Sequence, residues 1–246
     1  HLKYEENYRI TGEALEAAVS DRTKLLILNY PNNPTGRILT EEDIQAVSSF
    51  LRKHPDIYVL SDEIYEKIIF DGNQAVSMAS FPEFFERVIV VNGFSKCSAM
   101  TGWRVGYLAC SPELYQVILK LFQHSMSCTS SFLQKGALAA LDCGEDTERM
   151  RSAYERRRNL LEEGMKEIPG VEFLAPAGAF YAWVRFDTEL DSETLCNSLL
   201  EKAKIAGVPG SAYGEEDVVC VRFSFAASEE DLKRMLENLK AYQVGR

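Results

Sequence analysis

Hydrophobic and polar residues along the first half of the chain alternate between a period typical of helices and runs typical of buried strands. Apolar residues recur at helical spacing over Gly12 to Val19, and a continuous apolar run, Leu25 to Tyr30, follows before two prolines. Thr40 is followed by three acidic residues, which predicts a capped helix running to about Lys53. We expect the apolar run to be a strand buried on both faces, as in the interior of a parallel sheet.

Three further strand-like segments follow before the chain becomes helical. They are Ile57 to Tyr65, Val88 to Gly93 and Val105 to Cys110. Repeated strand, helix and strand order predicts an α/β fold with a mostly parallel sheet. In such sheets the chemistry gathers at the carboxyl ends of the strands.

The second half is helical after Pro112 and combines strands with helices after about Gly170. A long charged helix ends at the Pro-Gly break before Val171 and is expected to connect the two parts. The later mixture of short strands and helices predicts a smaller α+β domain. The expected division is a large domain over 1–145, a connecting helix over 146–169 and a small C-terminal domain over 170–246.

Composition and charge narrow the function classes. The chain has 246 residues, of which 46% are hydrophobic and 26% charged, so it is long and apolar enough to bury a sizeable core. Its net charge of −10 argues against non-specific binding to nucleic acid or anionic lipid. We expect a cytoplasmic protein, because no run could span a membrane and no export signal is visible. Six cysteines without CxxC spacing and three isolated histidines favour free thiols and disfavour a metal site.

Polar residues follow two of the predicted strands. Asn33 lies in NYPNNPTG, which taken alone predicts no more than a turn. Asp62 ends the next strand, where a carboxylate is costly unless it is paired or hydrogen-bonded. It either caps a helix, lies in a surface loop or faces a buried cation, such as a protonated ring nitrogen. Tyr65 either packs in the core or offers its hydroxyl to the same crevice.

Three basic residues are the other candidates. Lys96 follows a strand among small residues, so it is either an ordinary solvated lysine or a partly desolvated amine able to attack a carbonyl. Arg104 lies between two glycines and suits either bidentate phosphate contacts or an ordinary ion pair. Arg222 alternates with apolar residues on a late strand, so it either faces solvent or presents a planar fork to a carboxylate.

The ordered set NNPTG, SDEIYE, SK with TGWRVGY, and VRFSFA resembles the fold-type I pyridoxal-phosphate aminotransferases of class I/II, particularly the aspartate and aromatic aminotransferase branch. The resemblance covers nearly the whole chain. It implies that residues 1–145 are the C-terminal portion of a large cofactor-binding domain. It also implies transfer of an amino group between an amino acid and a 2-oxo acid, in amino acid metabolism and biosynthesis, by a homodimer.

The resemblance assigns cofactor-binding roles to residues in these motifs. Lys96 would form a Schiff base with pyridoxal 5'-phosphate and then move the proton at the substrate α-carbon. Asp62 would pair with the pyridinium nitrogen and keep it protonated. Asn33 and Tyr65 would hydrogen-bond the phenolic oxygen of the cofactor.

The same resemblance assigns the phosphate and the substrate. Arg104, helped by Ser95, would bind the cofactor phosphate. Arg222 and Asn33 would bind the substrate, with Arg222 clamping its α-carboxylate and so orienting the Cα–H bond for cleavage.

Family members carry a substantial segment ahead of the part that this chain resembles. That segment holds the glycine-rich phosphate turn, an aromatic residue that stacks on the cofactor ring and a dimerisation arm. We therefore expect the chain to be a fragment with an exposed sheet edge and impaired activity. The alternatives are a β-lyase or another reaction on the same fold, and a non-catalytic aminotransferase-like regulatory domain. Retention of Lys96, Asp62 and Arg222 argues against the last alternative.

Overall fold

The computed structural model describes residues 2–242, which divide into two compact units. The first unit comprises the chain up to Pro31, Ile38–Lys67 and Gln74–Arg149. The second comprises Asn32–Arg37, Ile68–Asn73 and the chain from Met150 onward. Two short segments of the first half therefore belong to the second unit, and one of them carries Asn33.

A four-stranded sheet organises the first unit. Its strands are β1 (Leu25–Asn29), β2 (Tyr58–Asp62), β3 (Val88–Gly93) and β4 (Gly106–Ala109), in that spatial order. The first three strands pair in parallel and β4 pairs antiparallel with β3. The predicted α/β class with a mostly parallel sheet is confirmed.

The first two helices precede β2. They are α1 (Gly12–Ala18) and α2 (Glu41–Lys53). The predicted cap of α2 is present, because Thr40 Oγ1 accepts a hydrogen bond from the Asp43 backbone N–H while Asp43 Oδ2 accepts one from that of Thr40 at 3.0 Å. Fully buried Asp43 also accepts a 2.7 Å hydrogen bond from the Ile10 backbone N–H, which ties the chain before α1 to α2.

The two faces of the first sheet differ in burial. Leu28 and Val59 pack into a core with buried side chains of α2. The opposite face carries Leu25, Ile27 and Tyr58, whose side chains are 43%, 63% and 39% exposed. The prediction that β1 is buried on both faces is therefore wrong. Its alternate side chains point away from α2 and stay largely open to solvent.

Three helices follow β4, as the sequence predicts. They are α3 (Pro112–Ser125), α4 (Ser131–Ala140) and α5 (Gly144–Met165). Proline at its first position and the hydroxyl of Ser111, which accepts the Leu114 N–H, fix the start of α3. None of the described helices is long and apolar enough to cross a membrane.

The second unit contains the part of α5 from Met150 onward and, among its described residues, an antiparallel sheet and two further helices. Its strands, in spatial order, are β5 (Val171–Phe173), β6 (Tyr181–Phe186), β8 (Cys220–Ser224) and β7 (Val208–Pro209). Its helices are α6 (Ser192–Ser198), which continues as a π-helical turn over Leu199–Ala203, and α7 (Glu229–Tyr242). This agrees with the predicted α+β character of the C-terminal part.

A buried arginine ties the segment Ile68–Asn73 to α5 within the second unit. Arg158 is only 5% exposed, and its Nη1 donates to Asp71 Oδ2 at 2.9 Å and to the Pro176 carbonyl at 3.2 Å. Its guanidinium also lies over the ring of Phe70, 5.3 Å from the centroid. The hydrogen bond from Arg158 holds the pKa of the Asp71 carboxyl below its ordinary value.

Candidate active site

Asp62 and Tyr65 lie at and just beyond the carboxyl end of β2. The Asp62 carboxylate accepts a 3.2 Å hydrogen bond from the Ile64 backbone N–H, which fixes the side chain at the strand end. Tyr65 is buried in the turn that follows. Between them Glu63 is also buried and accepts a 2.8 Å hydrogen bond from the Ser61 hydroxyl. Sequence reasoning did not single out Glu63, because nothing in its spacing distinguishes it from a surface acid.

Lys96 lies in the loop after β3, and local hydrogen bonds shape that loop. The Thr101 hydroxyl donates to the Ser95 carbonyl at 2.9 Å, and the Ala99 N–H donates to the Lys96 carbonyl at 3.3 Å. The Lys96 side chain is half-buried, and its ammonium lies 5.7 Å from the centroid of the Tyr65 ring. The structure therefore brings together two of the residues singled out from the sequence.

A close approach of two strands positions the start of this loop. Gly93 ends β3 and pairs with Gly106 of β4. A Cβ atom at Gly93 would lie 2.9 Å from both the Gly106 Cα and the Val105 carbonyl oxygen, closer than packed atoms approach. Because Gly93 has no side chain, β4 can pair with β3 as far as the start of the loop that carries Lys96.

Arg104 ends the same loop on the protein surface. Its backbone is left-handed, with φ of 56°, and its Nη1 donates to the Thr101 carbonyl at 3.1 Å. The guanidinium is exposed and available to an anion. The first unit therefore contains five of the six residues that the resemblance assigns to the cofactor, namely Asp62, Tyr65, Ser95, Lys96 and Arg104.

The second unit holds the other two candidates, which contact each other. Arg222 Nη1 donates to Asn33 Oδ1 at 2.8 Å, although the residues are 189 positions apart in the sequence. The turn that carries Asn33 is shaped by its neighbour Asn32, whose Oδ1 accepts a 3.1 Å hydrogen bond from the Thr35 N–H.

Two tyrosine rings lie against the Arg222 guanidinium. The guanidinium carbon is 4.4 Å from the ring centroid of Tyr181 and 5.2 Å from that of Tyr213. Burial raises the pKa of the Tyr213 phenol, while the charge of Arg222 acts in the opposite direction. No sequence pattern distinguishes contact of these tyrosines with Arg222 from ordinary packing.

The side chains of the first unit fit the chemistry of pyridoxal 5'-phosphate. A half-buried amine, a carboxylate, a phenol and an exposed guanidinium follow β2 and β3. These groups match, respectively, an aldehyde, a protonated ring nitrogen, a phenolic oxygen and a phosphate.

Comparison with known proteins identifies the family of this chain. The sequence model of the family described as "Aminotransferase class I and II" matches residues 1–239. The chain belongs to this family. It is 43% identical to an aspartate aminotransferase of Musicola paradisiaca over 242 residues, which are 97% of this chain and 60% of that protein. It is 39% identical to aromatic-amino-acid aminotransferase 2 of Thermococcus litoralis, with coverage of 96% and 62%.

Solved structures of family members have the same fold. The aromatic aminotransferase of Pyrococcus horikoshii superposes with a TM-score of 0.92 at 38% identity, over 97% of this chain and 65% of that one. The aspartate aminotransferase of Rhizobium meliloti gives 0.91 at 33% identity, over 99% and 64%. The chain therefore spans about three-fifths of the length of the relatives that it matches.

Proposed function

We propose that this chain belongs to an enzyme that transfers an amino group between an amino acid and a 2-oxo acid, with pyridoxal 5'-phosphate as cofactor. The observation that carries the proposal is the half-buried Lys96, whose ammonium lies against the ring of Tyr65 in a loop that follows a parallel strand. Membership of the aminotransferase class I and II family supports it.

Lys96 and Asp62 have the central roles in the proposed chemistry. The bound cofactor supplies an electron sink for the charge left when the substrate Cα–H bond breaks. The Lys96 amine would hold the cofactor at its aldehyde carbon and, once displaced by the substrate amine, would move the proton at the substrate α-carbon. Asp62 would keep the cofactor ring nitrogen protonated, because a nearby carboxylate favours the cationic form.

The remaining candidates bind and orient. Tyr65 and Asn33 would each donate a hydrogen bond to the phenolic oxygen of the cofactor, and Arg104 with Ser95 would bind its phosphate. Arg222 binds the α-carboxylate of the substrate with the help of Asn33, which already accepts one of its hydrogen bonds. By binding this carboxylate, the planar guanidinium orients the substrate so that its Cα–H bond can be cleaved.

We further propose that the active form contains more polypeptide than these 246 residues. Two observations support this: the chain spans about 60% of its relatives, and one face of its parallel sheet exposes Leu25 and Ile27. Parallel sheets are normally covered on both faces. We therefore expect impaired activity from this chain alone and propose a homodimeric, cytoplasmic enzyme of amino acid biosynthesis for the longer protein.

Absorbance spectroscopy tests the cofactor role. Addition of pyridoxal 5'-phosphate to the chain should produce a new visible band from the lysine adduct, and Lys96→Ala should abolish it. Lys120→Ala is the matched control, because Lys120 is an exposed lysine on α3 and its loss should leave the band unchanged. A band of equal intensity in Lys96→Ala would contradict the assignment.

Product analysis separates the proposed reaction from its alternatives. A panel of amino acids mixed with the loaded protein should yield 2-oxo acids of unchanged carbon skeleton. Pyruvate with ammonia would instead indicate β-elimination. We expect the 2-oxo acids to form slowly, because the chain is proposed to have impaired activity, and turnover matching that of a full-length relative would refute that impairment.

A further inference from the structure

Arg222 lies within a continuous stack of aromatic rings in the second unit. Tyr154 stacks on Phe180 at 5.3 Å, and Phe180 contacts Tyr181 at 4.8 Å. The Arg222 guanidinium follows, 4.4 Å from Tyr181 and 5.2 Å from Tyr213. Tyr213 then meets Trp183 edge to face at 5.7 Å. The arginine proposed to bind the substrate carboxylate therefore lies against two of these rings.

The hydrogen bonding of Arg222 explains why the rings matter. Its Nη1 donates to Asn33, but its Nε is buried and has no hydrogen-bond partner among residues 2–242. Buried N–H groups nearly always have an acceptor, and the rings of Tyr181 and Tyr213 lie close enough to this guanidinium to interact with it. A guanidinium that is partly removed from water interacts more strongly with aromatic faces than an exposed one does.

The two flanking tyrosines are held very differently. Tyr181 is buried in β6, where it pairs with Ser224 of the neighbouring strand. Tyr213 ends a short 3-10 turn, Gly210–Tyr213, and is 36% exposed. The sheet fixes Tyr181, whereas Tyr213 is held by a surface turn. Of the two tyrosines that flank Arg222, Tyr213 is therefore the one whose ring can be removed with less damage to the core.

We propose that Tyr213 is a positioning residue for carboxylate binding by Arg222. Its ring shields the guanidinium from water and restricts the rotamers of the long side chain, so the arginine is ordered before the acid arrives. A preordered arginine loses less conformational entropy on binding than a mobile one does. The inference rests on the proposed function, because it assumes that the ligand of Arg222 is an organic acid.

The test measures the dissociation constant of 2-oxoglutarate by ligand-observed NMR at constant ionic strength. Tyr213→Leu, which removes the ring, should weaken binding about tenfold. Tyr213→Phe, which keeps the ring, should bind within about twofold of the unchanged chain. Tyr115→Leu is the matched control, because this exposed tyrosine lies on α3 of the first unit, and binding should not change.

Comparison of the two Tyr213 variants separates positioning from a general structural effect. Near-ultraviolet circular dichroism verifies folding, and recovery of affinity in Tyr213→Phe shows that the ring itself is required. Equal affinity of Tyr213→Leu and the unchanged chain would overturn the proposal. If Tyr213→Phe weakened 2-oxoglutarate binding as much as Tyr213→Leu does, the effect would belong to the hydroxyl and the proposal would also fail. Unchanged binding in Arg222→Gln would overturn it as well.

The same samples distinguish this inference from the proposed function. If the unchanged chain forms no Lys96-dependent absorbance band but 2-oxoglutarate binding still depends on Arg222 and Tyr213, the proposed cofactor role of Lys96 fails and the positioning role of Tyr213 stands. If the band forms but acid binding is indifferent to the Tyr213 ring, the reverse holds. Absence of any Arg222-dependent binding of 2-oxoglutarate overturns the positioning role.

Discussion

Gly36 should be one of the least replaceable residues of the second unit. Its φ is +69°, and its carbonyl accepts a 2.8 Å hydrogen bond from the Gly178 N–H. A Cβ atom at this position would lie 2.1 Å from the Pro176 Cβ and 2.9 Å from the Gly178 carbonyl oxygen. Movement of the backbone away from Pro176 would break the hydrogen bond between Gly36 and Gly178. Gly36→Ala therefore combines backbone strain with a steric clash.

The loss of stability expected in Gly36→Ala is the sum of these two effects. A left-handed non-glycine residue costs about 1–2 kcal/mol, and forcing extra atoms into a packed region costs about 1–3 kcal/mol. We expect Gly36→Ala to lower the free energy of unfolding by about 2–5 kcal/mol. Gly72 is the matched control, because its φ is +70° but a Cβ atom there would meet nothing within 4 Å. Gly72→Ala should lose only the backbone part, about 1–2 kcal/mol.

Urea unfolding followed by tryptophan fluorescence measures both variants. A Trp103→Phe background leaves Trp183 as the only tryptophan of the sequence, and Trp183 lies in the second unit with both glycines. Gly36→Ala should also weaken 2-oxoglutarate binding, because the strained turn carries Asn33, the partner of Arg222. A loss of stability in Gly36→Ala no larger than that in Gly72→Ala would refute the steric argument.

The remaining predictions concern buried polar contacts. Arg158→Met should lower the free energy of unfolding by about 2–4 kcal/mol, whereas Arg156→Met, which alters an exposed arginine of the same helix, should change it by less than about 0.5 kcal/mol in the same urea assay. Because Arg158 lowers the Asp71 pKa, the contribution of this pair should be complete above the ordinary Asp pKa of 3.8 and disappear as the pH falls through the lower folded-state value. Stability measured from pH 6 downward should therefore fall less steeply in Arg158→Met, and parallel curves would contradict this. Asp43→Ala should cost about 2–4 kcal/mol, since it leaves the Ile10 N–H without its acceptor, and faster hydrogen exchange at that amide would report the loss.

Local sequence signals were sufficient for most secondary structure. The start of α2 could be predicted because Thr40 and Asp43 are three residues apart and cap the helix through their own side chains. The strand with Arg222 could be predicted because its apolar residues alternate, and Val221 and Phe223 are indeed buried. Burial of β1 on both faces could not be judged, because an apolar run does not reveal whether another layer covers each face.

Contacts between distant residues were the part that the sequence could not reveal. The hydrogen bond between Asn33 and Arg222 spans 189 positions, and the stacking of Tyr213 on Arg222 depends on how a surface turn packs beside β8. Each motif predicts a residue type suited to a role, but neither spacing nor periodicity gives the partner. The requirement for glycine at position 36 likewise depends on Pro176, which lies 140 residues later (176 − 36).

Site mapping of the cofactor adduct tests the central proposal most directly. The chain is incubated with pyridoxal 5'-phosphate, reduced with borohydride, digested and examined by mass spectrometry for the lysine that carries the pyridoxyl group. We expect preferential labelling of half-buried Lys96 over exposed Lys120, and loss of the main label in Lys96→Ala. Labelling that follows solvent exposure alone, with Lys96 labelled no more than Lys120, would contradict it.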